Sequence, residues 1–297
     1  MKDAVRSVAV LGTGIMGAPI AGNIARSGLE TRAWNRTREK AEPLAGEGIE
    51  VMDSPATAVE GAAAAITMLT DADAVRAVMT GDGGALPAMR DDAVWCQMST
   101  IGIEGTEEMT GHAADRGVQF VDAPVVGTKQ PAEGGELIVL ASGPDDGIDR
   151  CQPIFEAVGS RTVRLGKAGG GTRMKLVVNN WLLALVGALA ETVALAERID
   201  VDPADFLDLI KGGPIGPPYA ELKGRMMIER EFPPAFPLRL VAKDAHLVRA
   251  AAWDAGVELR VIPAVEELVS TALEQGHGDE DMAAAYYAAA DSGSRRG

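Results

Sequence analysis

The stretch SVAVLGTGIMGAPIAGNIARSG, residues 7–28, constrains this chain more than any other. An apolar run of strand character, Ser7–Gly12, leads directly into Gly12-x-Gly14-x-x-Gly17, and apolar residues at helical spacing follow. Alone, three such glycines are a weak signal. Between a strand and a helix they mark a dinucleotide-binding turn. Gly12 makes the tight turn, Gly14 lets the backbone approach a pyrophosphate, and Gly17 permits close helix–strand packing. The helix N-terminus offers amides and a positive dipole to phosphates. Thr13, Ile15 and Met16 complete this candidate cofactor loop. An ordinary tight turn is the plainer alternative.

The next candidate strand, Glu30–Asn35, ends where NAD sites place an acidic side chain for the ribose 2′-hydroxyl. Here the chain reads Asn35-Arg36-Thr37-Arg38-Glu39-Lys40. Arg36 can hold a 2′-phosphate and Thr37 can donate a hydrogen bond to it. The expected cofactor is therefore NADP(H); a solvated basic turn is the alternative. The net charge of -15 argues against nucleic acid as a partner and requires local positive charge at any anion site. These cations supply it.

Further short apolar runs read as strands at Ile49–Met52, Ala64–Leu69, Val94–Ser99, Val118–Val125, Glu136–Ser142 and Thr162–Gly166. Segments of helical length join most of them, so a mainly parallel, doubly wound sheet with helices on both faces is expected. Asp53-Ser54-Pro55 and Thr70-Asp71 read as helix starts. GKAGGGT, Gly166–Thr172, reads as a glycine-rich hinge. Beyond it a long helix covers about 173–198, and helical segments follow near 203–211, 219–229, 238–255, 262–275 and 279–291. The 297 residues thus divide into a nucleotide-binding domain over 1–166, an all-α domain over 167–291, and a disordered tail over 292–297.

The long helix is apolar nearly all round, which calls for burial on every side. Asn179, Asn180 and Glu191 make it a poor membrane span. A homodimer is expected, with tetramers left open and no membrane partner. Cys96 and Cys151 form no metal spacing or disulfide framework and read as buried thiols. Such thiols suggest a reducing compartment, so the expected location is the cytoplasm; MKDAVRSVAV lacks a signal peptide's long apolar region and small-residue cleavage site. His112, His246 and His277 have no carboxylate at ligand spacing, and no metal is expected.

Lys175 and Asn179 lie at i and i+4 in the first turns of the long helix, on one face. That face is expected to look into a cleft beside the nicotinamide. There the lysine can give a proton to a carbonyl oxygen or take it back; a surface cation is the other reading. Burial and the helix N-terminus would lower its pKa. Ser99-Thr100 ends a strand where doubly wound folds bind ligands, or else caps a helix. A second pair, Lys243-Asp244, lies in PLRLVAKDAHLVRAA, where Arg239, Lys243 and His246 fall on adjoining parts of one helical surface, which is a binding face or simply a solvated one.

These residues, taken with VAVLGTGIMGAPIAGNIA, WNRT, MSTI, DAPVVG, GGGTRMKLVVNN and FPLRLVAKDAHL, resemble the β-hydroxyacid dehydrogenase family, also called the 3-hydroxyisobutyrate dehydrogenase family. The resemblance runs from about Val8 to Ala290. GTKQPAEGGELIVLASG, FPPAFPL and GHGDEDMAAA look closest to the glyoxylate/succinic semialdehyde reductase branch. It implies a Rossmann-like α/β domain and an all-α domain linked by one long helix that serves in dimer formation. By similarity, Lys175 is the acid/base and Asn179 its neighbour. Thr100, Val126, Gly127, Phe236 and Asp244 line the substrate site. Lys243 approaches the nicotinamide ribose, Arg36 and Thr37 select NADP, and Met68-Leu69 lie beside the cofactor.

One position departs from the pattern. Val126 stands where members acting on small acids typically have a serine that helps bind the carboxylate. Gly127 and Thr128 still offer an amide and a hydroxyl. The proline-rich GGPIGPPY, Gly212–Tyr219, is also distinctive and would stiffen a loop near the cleft. The leading expectation is NADPH-dependent reduction of a small aldehyde or ketone. Imine reduction is the alternative, favoured by Val126 and opposed by Lys175; a non-catalytic NADP-binding module is the third.

Overall fold

The computed structural model describes residues 4–291; the expected tail, 292–297, lies outside them. The chain divides into two compact units, Met1–Lys175 and Leu176–Gly297. The division falls inside the long helix, later than the glycine run at which the sequence changes character.

The first unit is built on β1 (Ser7–Leu11), β2 (Glu30–Trp34), β3 (Glu50–Val51), β4 (Ala64–Thr67), β5 (Val94–Gln97) and β6 (Gln119–Asp122), all parallel, in the order β3-β2-β1-β4-β5-β6. Strands buried on both faces need apolar residues at odd and even positions alike. Val8, Val10, Ile66 and Val121 face one core with Ile20, Ile24 and Phe155; Leu11, Trp95 and Phe120 face the other with Val75, Met79 and Met109. Helices α1 (Gly17–Arg26), α2 (Pro55–Val59), α3 (Ala72–Thr80), α4 (Gly102–Arg116), α5 (Lys129–Glu133), α6 (Asp145–Arg150) and α7 (Gln152–Val158) complete the unit. Ser54 caps α2 in a capping box with Thr57, and Asp71 caps α3.

The expected strand Val118–Val125 is two strands. After β6 the chain leaves the sheet, and β7 (Val125–Val126) joins β8 (Leu137–Ala141) and β9 (Gly159–Arg164) in a separate sheet. Pro124, with no N–H to donate, sits at the break; its carbonyl accepts from Leu140.

Helix α8 (Gly170–Arg198) continues into α9 (Pro203–Ile210), α10 (Pro218–Glu229), α11 (Leu238–Asp254), α12 (Val261–Glu274) and α13 (Tyr286–Asp291). The expected burial of α8 on every side is not what a single chain provides. Val177, Trp181 and Leu195 are 66%, 67% and 58% exposed, and their spacing lines them up on one stripe. The expected helix over 279–291 begins late, with a 3-10 turn at Met282–Ala285. Asp281 is extended there because its carboxylate is engaged. Oδ2 accepts from the amides of Ala235 and Phe236, both at 3.1 Å. Oδ1 accepts from Lys223 Nζ at 2.6 Å and the Ala283 amide at 3.1 Å. Lys223 and Asp281 are 1% and 0% exposed, so this ion pair is fully desolvated.

Asp281→Ala would leave the Lys223 ammonium buried and three backbone amides unmatched. The expected loss is about 3–5 kcal/mol of unfolding free energy, measured by urea denaturation. In the β1–α1 turn, a Cβ on Gly17 would lie 1.9 Å from the Gly12 carbonyl oxygen. Gly17→Ala should therefore cost about 2–3 kcal/mol in the same measurement.

Candidate functional site

The parallel sheet places the candidate cofactor residues along one edge, because β1, β2, β4 and β5 all end there. The chain order reverses between β1 and β4, and such a switch point is where doubly wound sheets bind ligands. Gly12 adopts φ +104, and a Cβ there would meet the Met68 carbonyl oxygen at 2.4 Å. Gly14 differs: a Cβ there would meet no protein atom within 4 Å. Packing demands Gly12 and Gly17, while at Gly14 the backbone stands open. No side chain caps the start of α1. Thr13 Oγ1 is buried without a hydrogen-bond partner among the described residues. An open glycine, an uncapped helix start and an orphaned buried hydroxyl together fit a phosphate-bearing cofactor.

Asn35 ties this loop to the next strand. Its Oδ1 accepts from the Thr13 amide at 3.0 Å, and its Nδ2 donates to the Thr37 carbonyl at 2.8 Å. Arg38 is engaged by Asp53 and Glu42. Arg36 is exposed and makes no ion pair with a described residue.

A buried lattice that sequence reasoning missed sits under the ends of β4 and β5. Ser99 Oγ accepts from the Leu69 amide at 2.8 Å and donates to the Thr67 carbonyl at 3.1 Å. The Gln97 side chain bonds both the amide and the carbonyl of Ser99, and Trp95 donates to Thr67 Oγ1. These bonds fix the Met68-Leu69 loop and the approach to Thr100. Ser99 is therefore no helix cap; the N-terminus of α4, at Ile101, has no side-chain cap. The signal available was two amide- or hydroxyl-bearing residues at the ends of apolar runs.

Val126 lies on β7, paired with Ile138, and is half-buried. Gly127 has φ +131, and a Cβ would meet Leu137 Cδ2 at 2.6 Å. Thr128 occupies the N-cap position of α5 without a capping bond. Lys175 is half-buried on the second turn of α8.

In the helical unit, Asn179 Nδ2 donates to Asp244 Oδ2 at 2.7 Å, and both residues are buried. Lys243 Nζ lies 2.8 Å from Asp244 Oδ1 as a close ion pair. Asn179 Oδ1 is buried with no hydrogen-bond partner among the described residues. Asp244 is 4% exposed, and this bond to Asn179 joins two of the residues that the resemblance singled out. Phe236 is held by its amide to Asp281, and its carbonyl accepts from the Met282 amide at 2.8 Å. Sequence reasoning did not single out Lys223 and Asp281. The signal was a lysine within an otherwise core-facing part of α10.

Comparison with known proteins places this arrangement. Residues 7–166 match the NAD-binding domain of 6-phosphogluconate dehydrogenase, and residues 169–289 match the NAD-binding family of NADP-dependent 3-hydroxyisobutyrate dehydrogenase. Glyoxylate/succinic semialdehyde reductase 1 of Arabidopsis thaliana is 34% identical over 277 residues, covering 93% of this chain and 96% of that protein. Its chloroplastic counterpart, reductase 2, is 32% identical over 278 residues, covering 94% and 78%. A solved 3-hydroxyisobutyrate dehydrogenase of Mycobacterium tuberculosis, with L-serine, superposes with a TM-score of 0.83 at 26% identity, covering 95% and 98% of the two chains. One from Salmonella typhimurium shares the fold, with a TM-score of 0.88 at 24% identity over 95% and 99%. With both units matched and relatives aligned along nearly its whole length, this chain belongs to the β-hydroxyacid dehydrogenase (3-hydroxyisobutyrate dehydrogenase) family of NAD(P)-dependent oxidoreductases.

Proposed function

We propose that the protein reduces a small aldehyde or ketone with NADPH, Lys175 delivering the proton. Arg36 carries the cofactor part of this reading: just after β2 it is exposed and makes no ion pair with a described residue, whereas Arg38 two residues on is committed. A guanidinium so placed suits a 2′-phosphate. Gly12–Gly17 would hold the pyrophosphate, and Met68-Leu69 and Lys243 would flank the nicotinamide side. The bound nicotinamide supplies the hydride. The ammonium of Lys175 gives its proton to the carbonyl oxygen as that bond reduces, leaving an alcohol and a neutral amine that recovers a proton from water. Asn179 Oδ1 and Thr100 would orient the substrate.

Val126 shapes the substrate side. It offers only methyl groups where a hydroxyl would grip a carboxylate, so neutral aldehydes suit the pocket better than short acids. The same apolar surface is the one feature that favours a cyclic imine. We further propose a cytoplasmic homodimer in which a second copy covers the exposed stripe of Val177, Trp181 and Leu195 on α8.

A panel of butanal, glyoxylate, succinic semialdehyde and a cyclic imine, each with NADPH and NADH, tests the reading. Butanal should be turned over with NADPH, and Lys175→Ala should lower that rate by about 10²–10⁴-fold. Arg36→Ala should raise the KM for NADPH about tenfold or more and leave that for NADH nearly unchanged. Val126→Ser should raise kcat/KM for glyoxylate about tenfold. Imine turnover without carbonyl turnover would favour the second reading.

In sedimentation at micromolar concentration the wild type should run as a dimer. Trp181→Glu, which places a charge on the stripe, should shift it toward monomer.

A further inference from the structure

The start of α8 is held from outside its own sequence. A helix leaves its first four amides without partners, and the preceding residues of α8 are glycine, alanine and lysine, which offer no capping oxygen. The cap comes instead from β6 and the end of β8. Asp122, 0% exposed, accepts at Oδ2 from the amides of Thr172 at 2.8 Å and Gly169 at 3.1 Å and from Ser142 Oγ at 3.0 Å. Its Oδ1 accepts from Thr172 Oγ1 at 2.8 Å. Ser142 Oγ in turn accepts from the Gly171 amide at 2.8 Å. The glycine run allows this contact. A Cβ on Gly170 would lie 2.1 Å from the Leu165 carbonyl oxygen, and one on Gly171 2.2 Å from that of Leu140.

The contacts alone do not explain why the residue is charged. Burial pushes the Asp122 carboxyl pKa up, against the pull of its hydrogen bonds, so the charge costs stability. Asparagine would fit the same bonds. Its oxygen can accept at the Oδ2 position, and its amide can donate to Thr172 Oγ1. Thr172 would then donate to Thr106 Oγ1, 2.9 Å away, which donates to the Gly102 carbonyl. The chain of hydroxyls simply reverses.

Lys175 lies one turn beyond Thr172. The positive end of α8 disfavours an ammonium there, and a carboxylate at that end opposes the effect. We propose that Asp122 is a positioning residue for Lys175: it pins the first turn of α8 and offsets the helix field that would otherwise weaken the lysine's hold on its proton. This rests on the reading of Lys175 as proton donor. Around Asp122, α8 and its lead-in contribute Gly169 and Thr172, the end of β8 contributes Ser142, and β5 contributes Cys96. The Cys96 thiol is kept neutral, chiefly by its contact with Cys151 and by burial. Arg173 is turned to an exposed pair with Glu107.

The test is competitive trace acetylation of the full-length protein with acetic anhydride across pH, read at Lys175 by mass spectrometry. In Asp122→Asn the apparent pKa of Lys175 should fall by about half a unit or more, with an unchanged or higher Tm. Thr172→Val should move the lysine in the same direction, and Thr172→Ser should restore it. An unmoved Lys175 titration in Asp122→Asn, or no restoration by Thr172→Ser, overturns the proposal. Because the labelling needs no turnover, the two failures separate. Full butanal reduction by Lys175→Ala would overturn the proton-donor reading and with it the catalytic meaning of the clamp, while an unmoved titration overturns the clamp alone.

Discussion

The carbonyl of Gly12 occupies the space that a side chain at residue 17 would need. From that backbone contact much of the first unit follows. It brings α1 down onto the end of β1, so that Ile20 and Ile24 reach the core beside Val8 and Val10. It also turns the start of α1, uncapped by any side chain, toward the edge where the parallel strands end. Gly12 is confined on its other side by Met68, so the loop after β4 is fitted to the same turn. The turn is thus shaped by contacts within the protein, and only Gly14 is left with open space before it.

Two buried carboxylates do equivalent work in the two units. Asp122 accepts from two amides and two hydroxyls, and Asp281 from three amides and an ammonium. Each fixes an irregular segment that lacks a regular ladder of its own: the lead-in to α8, and the Phe232–Leu238 stretch before α11. Buried carboxylates persist only where such bonds replace their water. The difference lies in the counter-charge. Asp281 faces Lys223 directly, which balances it in place. Asp122 has hydroxyls and amides instead, and its negative charge extends into the helix that carries Lys175.

The parts of this architecture legible in the sequence were those with a local period. Strands such as Ser7–Leu11 and Val94–Gln97 are apolar runs of fixed length, and α11 and α12 carry helical spacing. The glycine loop was legible because its chemistry is contained in six residues. What escaped was set by long-range pairing. The break at Pro124 depends on Leu140 and Ser142, and the late start of the last helix depends on Lys223. The close approach at Gly170 and Gly171 was hidden because sequence cannot distinguish glycine chosen for freedom from glycine chosen for close approach. The same limit applies to α8: its composition called for cover on every side, but the exposed stripe shows which side a single chain leaves uncovered.

Electrostatics gives the proposed cofactor preference its physical basis. With a net charge of -15, the protein as a whole repels a polyanion, so attraction has to come from a few local sources. Many arginines are spent on exposed pairs such as Arg90–Asp92 and Arg116–Asp91, which are neutralised before any ligand arrives. Arg36 is not, and it follows directly on Asn35, whose side chain is bonded to the glycine loop. Under the proposed function it would add attraction beside the loop, while the repulsion of the distant acidic surface is screened over about 10 Å at moderate salt.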